Sequence, residues 1–504
     1  MLAQIRCAAL VGVDAVPVTV EVSVERGLPC FLVVGLPDAA VRESRDRVAA
    51  ALRHARLEFP AARVTVNLAP ADLRKEGTWY DLAIALGVLA ASRQIPDRHL
   101  HECCVLGELA LDGRVRPVRG VLAVALATAA GGRGALLVPR ENVEEARAVG
   151  GLDVLCVRDL ADAVAWAKGR DPQHEPIPAK PADEPAAEDP LASIRGQETA
   201  KRALVIAAAG GHGILFAGPP GTGKTMLARA LPSLLPPLTR AQSLEVSRIH
   251  SVAGALPAGA AVLTRPPFRA PHISASAAGL LGGGSPFRPG ELSLAHEGVL
   301  FLDELPEFSR SVLESLRQPL ESGEIVLVRA RGTVRLPARV QLVAAMNPCP
   351  CGFLGHPRRA CRCSPADVAR YRRRVSGPLL ERIDLFVEVP VESKGIQRLW
   401  QPPEAEVTRA TQDRVAAARQ SDRRCVNARL EGEALRVSAP LESAAERLLA
   451  DAAQRWSLSA RAVHRTLRVA RSVADLSASA SVNQAAIAEA LSYRHEGRVS
   501  GTTP

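Results

Sequence analysis

Residues 214–225 read ILFAGPPGTGKT, and this stretch decides the fold of the chain. A short apolar run leads into a glycine-rich turn that ends in Lys224 and Thr225. This is the pattern G-x-x-x-x-G-K-[ST], in which backbone N–H groups surround phosphate oxygens, the lysine reaches the β- and γ-phosphates and the hydroxyl binds Mg²⁺. A glycine-rich structural loop is the alternative, but the strand pattern before the turn and the helix pattern after it favour nucleotide binding. The predicted nucleotide-binding residues are Gly218, Pro219, Pro220, Gly221, Thr222, Gly223, Lys224 and Thr225.

The composition is that of a soluble globular protein with more than one domain. A chain of 504 residues is expected to form two or three domains. Hydrophobic residues make up 47% and charged residues 23%, which is ordinary for such proteins. The formal net charge of +10 suits a nucleic-acid partner, although an arginine-rich composition explains the charge equally well.

The sequence predicts a cytoplasmic protein without a membrane partner. No apolar run reaches the roughly 18 residues needed to cross a bilayer. The first residues also lack the charged segment and the long apolar segment of a signal peptide. Because cytoplasmic thiols stay reduced, the ten cysteines are expected to be free thiols or metal ligands rather than disulfides.

Sequence patterns divide the chain into four segments. Residues 1–170 alternate between strand and helix patterns, which predicts an α/β domain. Residues 171–190 hold six prolines and six acidic residues, so they cannot bury a core and are predicted to be a linker. Residues 191–395 contain the nucleotide-binding stretch and the strands that belong to its sheet. Residues 396–504 are mostly helical in pattern and are predicted to form a lid with a C-terminal extension.

Two carboxylates follow an apolar strand pattern further along the chain. Residues 298–304 read GVLFLDE, and four consecutive apolar residues predict a buried strand of a parallel sheet. Such a strand delivers Asp303 and Glu304 at its carboxyl end. We expect Asp303 to bind Mg²⁺ through water and Glu304 to polarise the attacking water. The alternative is that both acids simply cap the strand end.

Two further residues extend the predicted catalytic set. Asn347 ends another apolar strand pattern, in a position to orient water near the γ-phosphate. Arg382 follows a helical turn and precedes a strand pattern, which suits an arginine finger that reaches the ATP of a neighbouring subunit. A plain surface arginine is the alternative for Arg382.

Residues 458–468 predict a helix with one basic face, for which Ser459 is a suitable N-cap. We expect Arg461 to touch the γ-phosphate from the lid, with Arg465 as the second candidate. A solvated basic stripe is the alternative. The basic residues fall at i, i+3, i+4 and i+7 and therefore share the face; they are Arg461, His464, Arg465 and Arg468.

These five features, in this order, resemble the Walker A, Walker B, sensor 1, arginine-finger and sensor 2 motifs of AAA+ ATPases. Residues 265–308 are similar to the magnesium-chelatase-like branch, and the full length resembles the YifB/ComM family. The resemblance implies an α/β P-loop NTPase core with a helical lid, assembled into a homo-oligomeric ring, commonly a hexamer. It also implies helicase-like branch migration in homologous recombination and natural transformation. Ile273 departs from the family pattern, which has a second histidine after His272.

The N-terminal segment resembles another family. Residues 107–121, GELALDGRVRPVRGV, are similar to the proteolytic domain of Lon-type proteases, which implies their fold, of the ribosomal protein S5 domain 2-like kind. Trp79 stands where that family has its serine, and Val124 stands near its lysine. Without a nucleophile and a base there is no acyl transfer, so we expect a catalytically dead domain.

An inserted hairpin offers cations for DNA. Residues 321–343 alternate as two strands that turn near Arg331. In the ATPases that this chain resembles, such insertions line the central pore. The DNA-contact candidates are Arg329, Arg331 and Arg335, which suit contacts with the phosphate backbone rather than with bases. An ordinary charged hairpin is the alternative.

Four cysteines form the pattern C-x-C-x₉-C-x-C directly after Asn347. Such a set in a cytoplasmic protein fits a tetrahedral structural Zn²⁺ site. The C-x-C spacing is tighter than usual for zinc, and reduced or redox-active thiols are the alternative. These residues are Cys349, Cys351, Cys361 and Cys363, called the cysteine cluster below.

The leading hypothesis is an ATP-hydrolysing ring motor that acts on single-stranded or branched DNA. A magnesium-chelatase-like or protein-remodelling ATPase is the first alternative, because the AAA+ core alone is shared; a chelatase motor is expected to lack the N-terminal domain. A Lon-like protease is the second alternative, and Trp79 and Val124 argue against it.

Overall fold

A computed structural model shows an N-terminal α/β domain, an ATPase core and a helical lid. The predicted linker, residues 171–190, lies outside the described residues, and so does Arg331. The structure describes residues 1–132, 134–170, 191, 193–257, 259–284, 287–329, 332–391, 405–419 and 425–494.

The N-terminal domain is built on a mixed β-sheet. Its strands are β1 (Leu2–Val11), β2 (Asp14–Glu25), β3 (Cys30–Val34), β4 (Arg63–Ala69), β5 (Cys103–Val105), β6 (Glu108–Leu109), β7 (Val115–Arg116), β8 (Ala135–Pro139) and β9 (Asp153–Val157). Its helices are α1 (Ala39–Arg42), α2 (Ser44–His54), α3 (Asp81–Ala91), α4 (Val121–Ala130), α5 (Val143–Arg147) and α6 (Leu160–Ala167), with a 3₁₀ helix at Arg140–Asn142. Seven strands follow the order β3-β4-β2-β1-β5-β8-β9, antiparallel among β1, β2 and β4 and parallel elsewhere.

Alternation along the strands explains this sheet. Val18, Val20 and Val22 of β2 are buried on one face, as a period of two requires. Helix α3 is apolar after its first residue, Asp81, and is buried on nearly every side. Strand β1 lies where the patterns predict no element, because its apolar residues do not alternate strictly. Its pairing with β2 along its full length fixes it in the middle of the sheet.

The ATPase core is built on a parallel sheet. Its strands are β10 (Ile214–Ala217), β11 (Phe268–Arg269), β12 (Gly282–Gly283), β13 (Arg288–Pro289), β14 (Val299–Leu302), β15 (Glu324–Arg329), β16 (Gly332–Pro337), β17 (Gln341–Met346) and β18 (Leu385–Glu388). Its helices are α7 (Glu198–Gly210), α8 (Lys224–Leu234), α9 (Arg240–Ala253), α10 (Ala277–Leu281), α11 (Glu291–Leu294), α12 (Arg310–Ser315), α13 (Arg317–Ser322), α14 (Pro365–Arg372) and α15 (Gly377–Leu380), with a 3₁₀ helix at Leu305–Glu307. Five strands follow the order β11-β14-β17-β10-β18, and β15 and β16 form the predicted hairpin. The sequence therefore predicted the P-loop NTPase core correctly.

The lid is helical. It comprises α16 (Ala405–Arg419), α17 (Gly432–Ser438), α18 (Ser443–Arg455), α19 (Ala460–Leu476) and α20 (Gln484–Ser492), with a 3₁₀ helix at Asn427–Arg429. Apolar residues of α18, α19 and α20 share one hydrophobic cluster with α7, α8 and one face of the parallel sheet. The lid therefore packs on the core as an extension of its hydrophobic interior.

A buried histidine also joins lid and core. His212 Nδ1 lies 2.8 Å from Asp384 Oδ2, and its Nε2 lies 2.8 Å from Ser472 Oγ on α19. Asn427 donates a further hydrogen bond to Ser472 Oγ at 3.0 Å. The imidazole is fully buried, so this Ser-His-Asp arrangement is a structural hydrogen-bond network rather than a nucleophilic site.

The turn between β1 and β2 is seated in the ATPase core. Val13 belongs to the hydrophobic cluster that contains Leu336 at the base of the β15–β16 hairpin. Gly12 lies so close to the hairpin that an added Cβ would approach Val334 Cγ1 to 2.7 Å. Arg248 of α9 donates to Asp14 Oδ1 at 2.5 Å. The N-terminal domain is thus packed directly against the hairpin and α9.

A buried carboxyl group stands where α5 meets the start of α4. Asn142 donates to Glu145 Oε1 at 3.2 Å, and the backbone N–H groups of Val121 and Leu122 also point to this carboxylate. Burial raises the pKa of Glu145 to about 8 despite these donors. At neutral pH the carboxyl group of Glu145 therefore holds a proton in the folded chain. In the unfolded chain it releases that proton at about pH 4.3, the ordinary pKa of a glutamate.

This proton makes stability fall as pH rises. Between the unfolded pKa and about 8 the folded state binds more protons, so the free energy of unfolding is expected to decrease by at most about 1.4 kcal/mol per pH unit through Glu145. Glu145→Gln should flatten this decline, measured as the apparent Tm from pH 5 to pH 8. The exposed Glu102→Gln is the control and should keep the wild-type slope. Equal slopes for Glu145→Gln and wild type would contradict the assignment.

Candidate functional site

The phosphate loop connects the carboxyl end of β10 with the start of α8. Gly221 and Gly223 have positive φ angles of 79° and 89°, which glycine adopts without strain. An added Cβ at either position would meet no described atom within 4 Å, so both face an open cradle. At Gly218 an added Cβ would lie 2.2 Å from the carbonyl oxygen of Val389, so this glycine allows β18 to pass closely. The cradle fits a triphosphate at a helix N-terminus.

Lys224 joins the phosphate loop to the next strand. Its Nζ donates to the carbonyl oxygens of Gly218 at 2.7 Å and Pro219 at 2.8 Å, and to Asn347 Oδ1 at 3.2 Å. Burial lowers the pKa of the lysine, and the nearby carboxylates Asp303 and Glu304 oppose that effect. The structure therefore brings Lys224, Asn347 and the two predicted acids into one site.

The predicted magnesium ligands are also adjacent. Thr225 Oγ1 donates to Asp303 Oδ2 at 2.9 Å, so a hydroxyl and a carboxylate stand side by side at the loop. Oxygen ligands of this kind, completed by phosphate oxygens and water, suit Mg²⁺. Asp303 Oδ1 in turn accepts the backbone N–H of Glu304 at 2.9 Å.

The backbone at Glu304 is strained. Its φ is +50°, in the left-handed region, immediately before the 3₁₀ helix Leu305–Glu307. For a residue with a side chain this costs on the order of 1–3 kcal/mol, and such strain is concentrated at functional sites. This left-handed conformation turns the chain sharply after β14, so Asp303 and Glu304 both stand at the carboxyl end of the strand.

The two arginines lie at the other end of the sheet. Arg382 lies three residues before Leu385, the first residue of β18. Strand β18 runs parallel to β10 with Leu385 opposite Ile214, whereas the phosphate loop follows Ala217 at the other end of β10. The guanidinium of Arg382 pairs with Glu321. Within one chain, Arg382 therefore does not meet the phosphate loop.

Arg461 lies beside Arg382 rather than beside the phosphate loop of its own chain. Its side chain is 75% exposed and lies 3.5 Å from Glu381 Oε2. One cleft contains Arg382 together with the whole basic face predicted on α19. The residues of that face are Arg461, His464, Arg465 and Arg468.

The cysteine cluster is assembled. Cys349 Sγ lies 3.4 Å from Cys351 Sγ and 3.6 Å from Cys361 Sγ, and all four sulfurs lie within 4.8 Å of one another. The thiols are free rather than paired in disulfides. Tetrahedral zinc with bonds of about 2.3 Å separates its sulfur ligands by about 3.8 Å. The cluster has the geometry of a four-thiolate zinc site.

Backbone donors surround these sulfurs. Leu354 donates its N–H to Cys349 Sγ at 3.4 Å. The backbone N–H groups of Arg362 and Phe353 lower the pKa of Cys351 to about 6. Such donors favour thiolate, the form that binds metals, at Cys351, whereas burial and the neighbouring thiols raise the pKa of Cys361 and of Cys363.

Sequence reasoning missed two neighbours of this site. Tyr371 is buried, the backbone N–H of Asn347 points to its phenol oxygen, and burial raises the pKa of Tyr371 to about 12. Arg374 NH1 lies 2.7 Å from Glu307 Oε2, just beyond the predicted acids. The signal was a tyrosine within a basic run, which alone does not indicate where it packs.

The structure describes one of the three predicted DNA-contact side chains. Arg335 is 67% exposed and pairs with Glu324 at 2.8 Å across the hairpin. Arg329 ends β15, but its side chain, like Arg331, lies outside the described residues. The DNA-contact hypothesis stays a prediction.

Trp79 and Val124 are packed in the N-terminal domain. Val124 is buried on α4, and the indole N–H of Trp79 has no hydrogen-bond partner among the described residues. Neither side chain supplies a nucleophile or a base.

Comparisons with known proteins agree with this geometry. Residues 190–396 match the family model described as magnesium chelatase, subunit ChlI. Residues 20–142 match one described as subunit ChlI of Mg-chelatase, and residues 405–494 match one described as magnesium chelatase, subunit ChlI C-terminal.

Relatives extend over almost the whole chain. The uncharacterized protein Rv2897c of Mycobacterium tuberculosis is 46% identical over 497 residues, which covers 97% of this chain and 98% of the relative. YifB of Escherichia coli is 43% identical over 498 residues, and the competence protein ComM of Haemophilus influenzae is 44% identical over 504 residues; each alignment covers 98% of this chain and 97% of the relative. The chain belongs to the YifB/ComM family of magnesium-chelatase-like AAA+ proteins.

Membership of the YifB/ComM family implies ATPase activity with ATP and Mg²⁺. The cradle, Lys224 and the Thr225–Asp303 pair fit both. In the part of the chain that the structure describes, no helix is long and apolar enough to span a membrane.

Two substitutions separate ATP binding from hydrolysis. Lys224→Ala is expected to abolish detectable binding of a fluorescent ATP analogue, because it removes the cation at the cradle. Glu304→Gln should keep binding but lower kcat by about 10²–10⁴-fold, the usual contribution of a general base. Phosphate release measures turnover, and Lys168→Ala, at an exposed lysine of the N-terminal domain, should match wild type. Wild-type turnover in Glu304→Gln would remove Glu304 from the role of base.

Proposed function

We propose that this chain is an ATP-driven hexameric ring motor that moves or remodels DNA in homologous recombination and natural transformation. The observation that supports a ring is that the predicted site residues of one chain lie at opposite ends of the strands of one parallel sheet. The phosphate loop follows the carboxyl end of β10, and Arg382 precedes the amino end of β18. One chain therefore presents the ATP-binding half of a site at one end of the sheet and the arginine half at the other. A neighbouring copy supplies the missing half.

Each residue then has a role in hydrolysis. Lys224 and the phosphate-loop N–H groups hold the triphosphate, and Thr225 and Asp303 hold Mg²⁺. Glu304 polarises the attacking water, and Asn347 orients it. The neighbour's Arg382 and Arg461 neutralise the charge that develops on the γ-phosphate.

Three observations support DNA as the substrate. The chain carries a net charge of +10. The β15–β16 hairpin exposes Arg335, and its sequence also contains Arg329, at the end of β15, and Arg331, between the two strands. One relative over nearly the full length is a competence protein. Cations on an inserted hairpin suit the phosphate backbone of a strand in a ring.

A magnesium-chelatase-like or protein-remodelling motor is the alternative. Family models described by the chelatase subunit match three segments of the chain, including residues 20–142 of the N-terminal domain. The presence of that domain therefore does not by itself separate the two functions. Dependence of hydrolysis on DNA does.

We assign the chain an organisation that matches this function. Residues 1–170 form a protease-like domain without protease chemistry, residues 171–190 a linker, residues 191–395 the motor and residues 396–504 the lid and its extension. The motor works in the cytoplasm, where DNA and ATP are available.

We also propose one structural Zn²⁺ per chain, held by the cysteine cluster. Four free thiols support it, because the sulfurs of Cys349, Cys351 and Cys361 lie 3.4–3.6 Å from one another and all four sulfurs lie within 4.8 Å. Four-thiolate sites of this kind leave no open position, so the metal stabilises the loop rather than taking part in hydrolysis.

Mixing two inactive variants tests the shared site. Lys224→Ala spoils the phosphate loop and Arg382→Ala spoils the finger, so each variant alone should show little hydrolysis. Random mixed rings from equal amounts pair an intact loop with an intact Arg382 at about one quarter of interfaces. ATPase activity should therefore reappear on mixing and scale with the fraction of each variant. Mixtures that stay as inactive as their components would contradict a site shared between neighbouring chains.

DNA dependence tests the substrate. Forked and single-stranded DNA are expected to stimulate hydrolysis, with binding that weakens as salt rises. Arg335→Ala should weaken binding and reduce the slope of log K against log salt by about 1. Arg436→Ala is the matched control, since that arginine is also exposed and paired with a glutamate, but lies on the lid. If neither DNA binds nor stimulates the wild-type ATPase, the DNA function is wrong.

A further inference from the structure

The loop that carries the cysteine cluster touches the phosphate loop. Gly352 has a φ of +81°, and an added Cβ there would lie 2.8 Å from Cδ and 3.2 Å from Cγ of Pro220. The same Cβ would lie 3.9 Å from Cγ of Asn347. The turn after Cys351 is thus pressed against both the cradle and the residue that accepts from Lys224.

The chain also returns to Asn347 from the far side of the cluster. Ser364, next to Cys363, caps α14 through its hydroxyl, which accepts the N–H of Asp367 at 3.1 Å. Near the end of α14, Tyr371 is buried, and the backbone N–H of Asn347 points to its phenol oxygen. Arg372 donates to the carbonyl oxygen of Pro348 at 3.5 Å.

Residues 347–371 therefore form a loop that begins and ends at Asn347. Inside it, two cysteines lie on the outgoing arm and two on the returning arm, and their sulfurs meet. The connection between the arms, residues 352–360, contains no helix or strand. The hydrogen bonds described within this connection are local, such as those from the N–H groups of Arg358 and Arg359 to His356 Nδ1, so the sulfurs are what joins the two arms.

We infer that the cysteine cluster is a positioning element for the ATP site: metal bound by its thiols clamps Gly352 against Pro220 and holds Asn347 toward Lys224. The inference rests on the proposed zinc site and on ATP binding at the phosphate loop. The clamp touches neither ATP nor the attacking water. Its effect is to fix the cradle in the shape that binds triphosphate, so loss of the metal should weaken ATP binding before it affects chemistry.

Two glycines of this loop give a matched test of the contact. Gly352 and Gly355 have φ angles of +81° and +77°, but an added Cβ at Gly355 would meet no described atom within 4 Å. Both alanine variants therefore bear similar backbone strain, and only Gly352→Ala collides with Pro220. We expect the Kd for a fluorescent ATP analogue to rise about tenfold or more in Gly352→Ala and to stay within about twofold of wild type in Gly355→Ala. Equal affinity in both variants would overturn the inference.

Metal removal tests the clamp itself. The purified full-length chain should contain about one zinc per chain, and a Cys361→Ser, Cys363→Ser double variant should contain none. Depletion with a chelator, in the absence of Mg²⁺, should raise the ATP Kd, and added Zn²⁺ should restore it. Cys425→Ser, at an exposed cysteine outside the cluster, should keep both zinc and affinity. Circular dichroism and gel filtration confirm that each variant is folded.

The outcomes separate the proposals. A wild-type chain without stoichiometric zinc contradicts the zinc site and the metal clamp with it. Zinc-depleted protein that stays folded and binds ATP as wild type does overturns the clamp but leaves the zinc site intact. Wild-type protein that binds no ATP contradicts the proposed ATPase instead. Zinc-linked loss of affinity together with the effect of Gly352→Ala supports the inference.

Discussion

The parallel pairing of β10 with β18 is the constraint on which the rest of the motor depends. Parallel strands place all their carboxyl ends at the same end of the sheet, so the phosphate loop, Asp303 and Asn347 converge there. The same rule places Arg382, which precedes the amino end of β18, at the opposite end of the sheet. Arg382 and the phosphate loop of one chain therefore lie at opposite ends of these strands. The division is fixed by backbone hydrogen bonds between buried strands.

Much of the motor was predictable because its signals are local. The phosphate loop, the acids after β14 and Asn347 after β17 each follow a short apolar run, and strand polarity then brings them together. The helix at Ala460–Leu476 was equally clear, since its basic face and its apolar face repeat at helical spacing. In these segments, local propensity and tertiary environment favour the same structure.

Other features depend on contacts between distant residues and left no local signal. Strand β1 is defined by its pairing with β2, and its own residues do not alternate strictly. The position of Arg461 depends on how the lid docks, which buried groups such as His212 and Ser472 determine across 260 residues of sequence. The packing of Gly352 on Pro220 likewise joins two loops that no pattern relates. Spacing within one segment cannot reveal which segment it will meet.

The turn between β1 and β2 has a mechanical consequence for the N-terminal domain. Val13 fills space beside Leu336 in the cluster beneath the hairpin, and Gly12 lies against Val334. If the hairpin base moved and the turn did not follow, a void would open, at a cost of about 24 cal/mol for each Å³. The N-terminal domain is therefore joined to the ATPase core by packing contacts as well as by the chain. Because the domain packs directly against the hairpin, a displacement of the hairpin base either disrupts this packing or moves the domain with it.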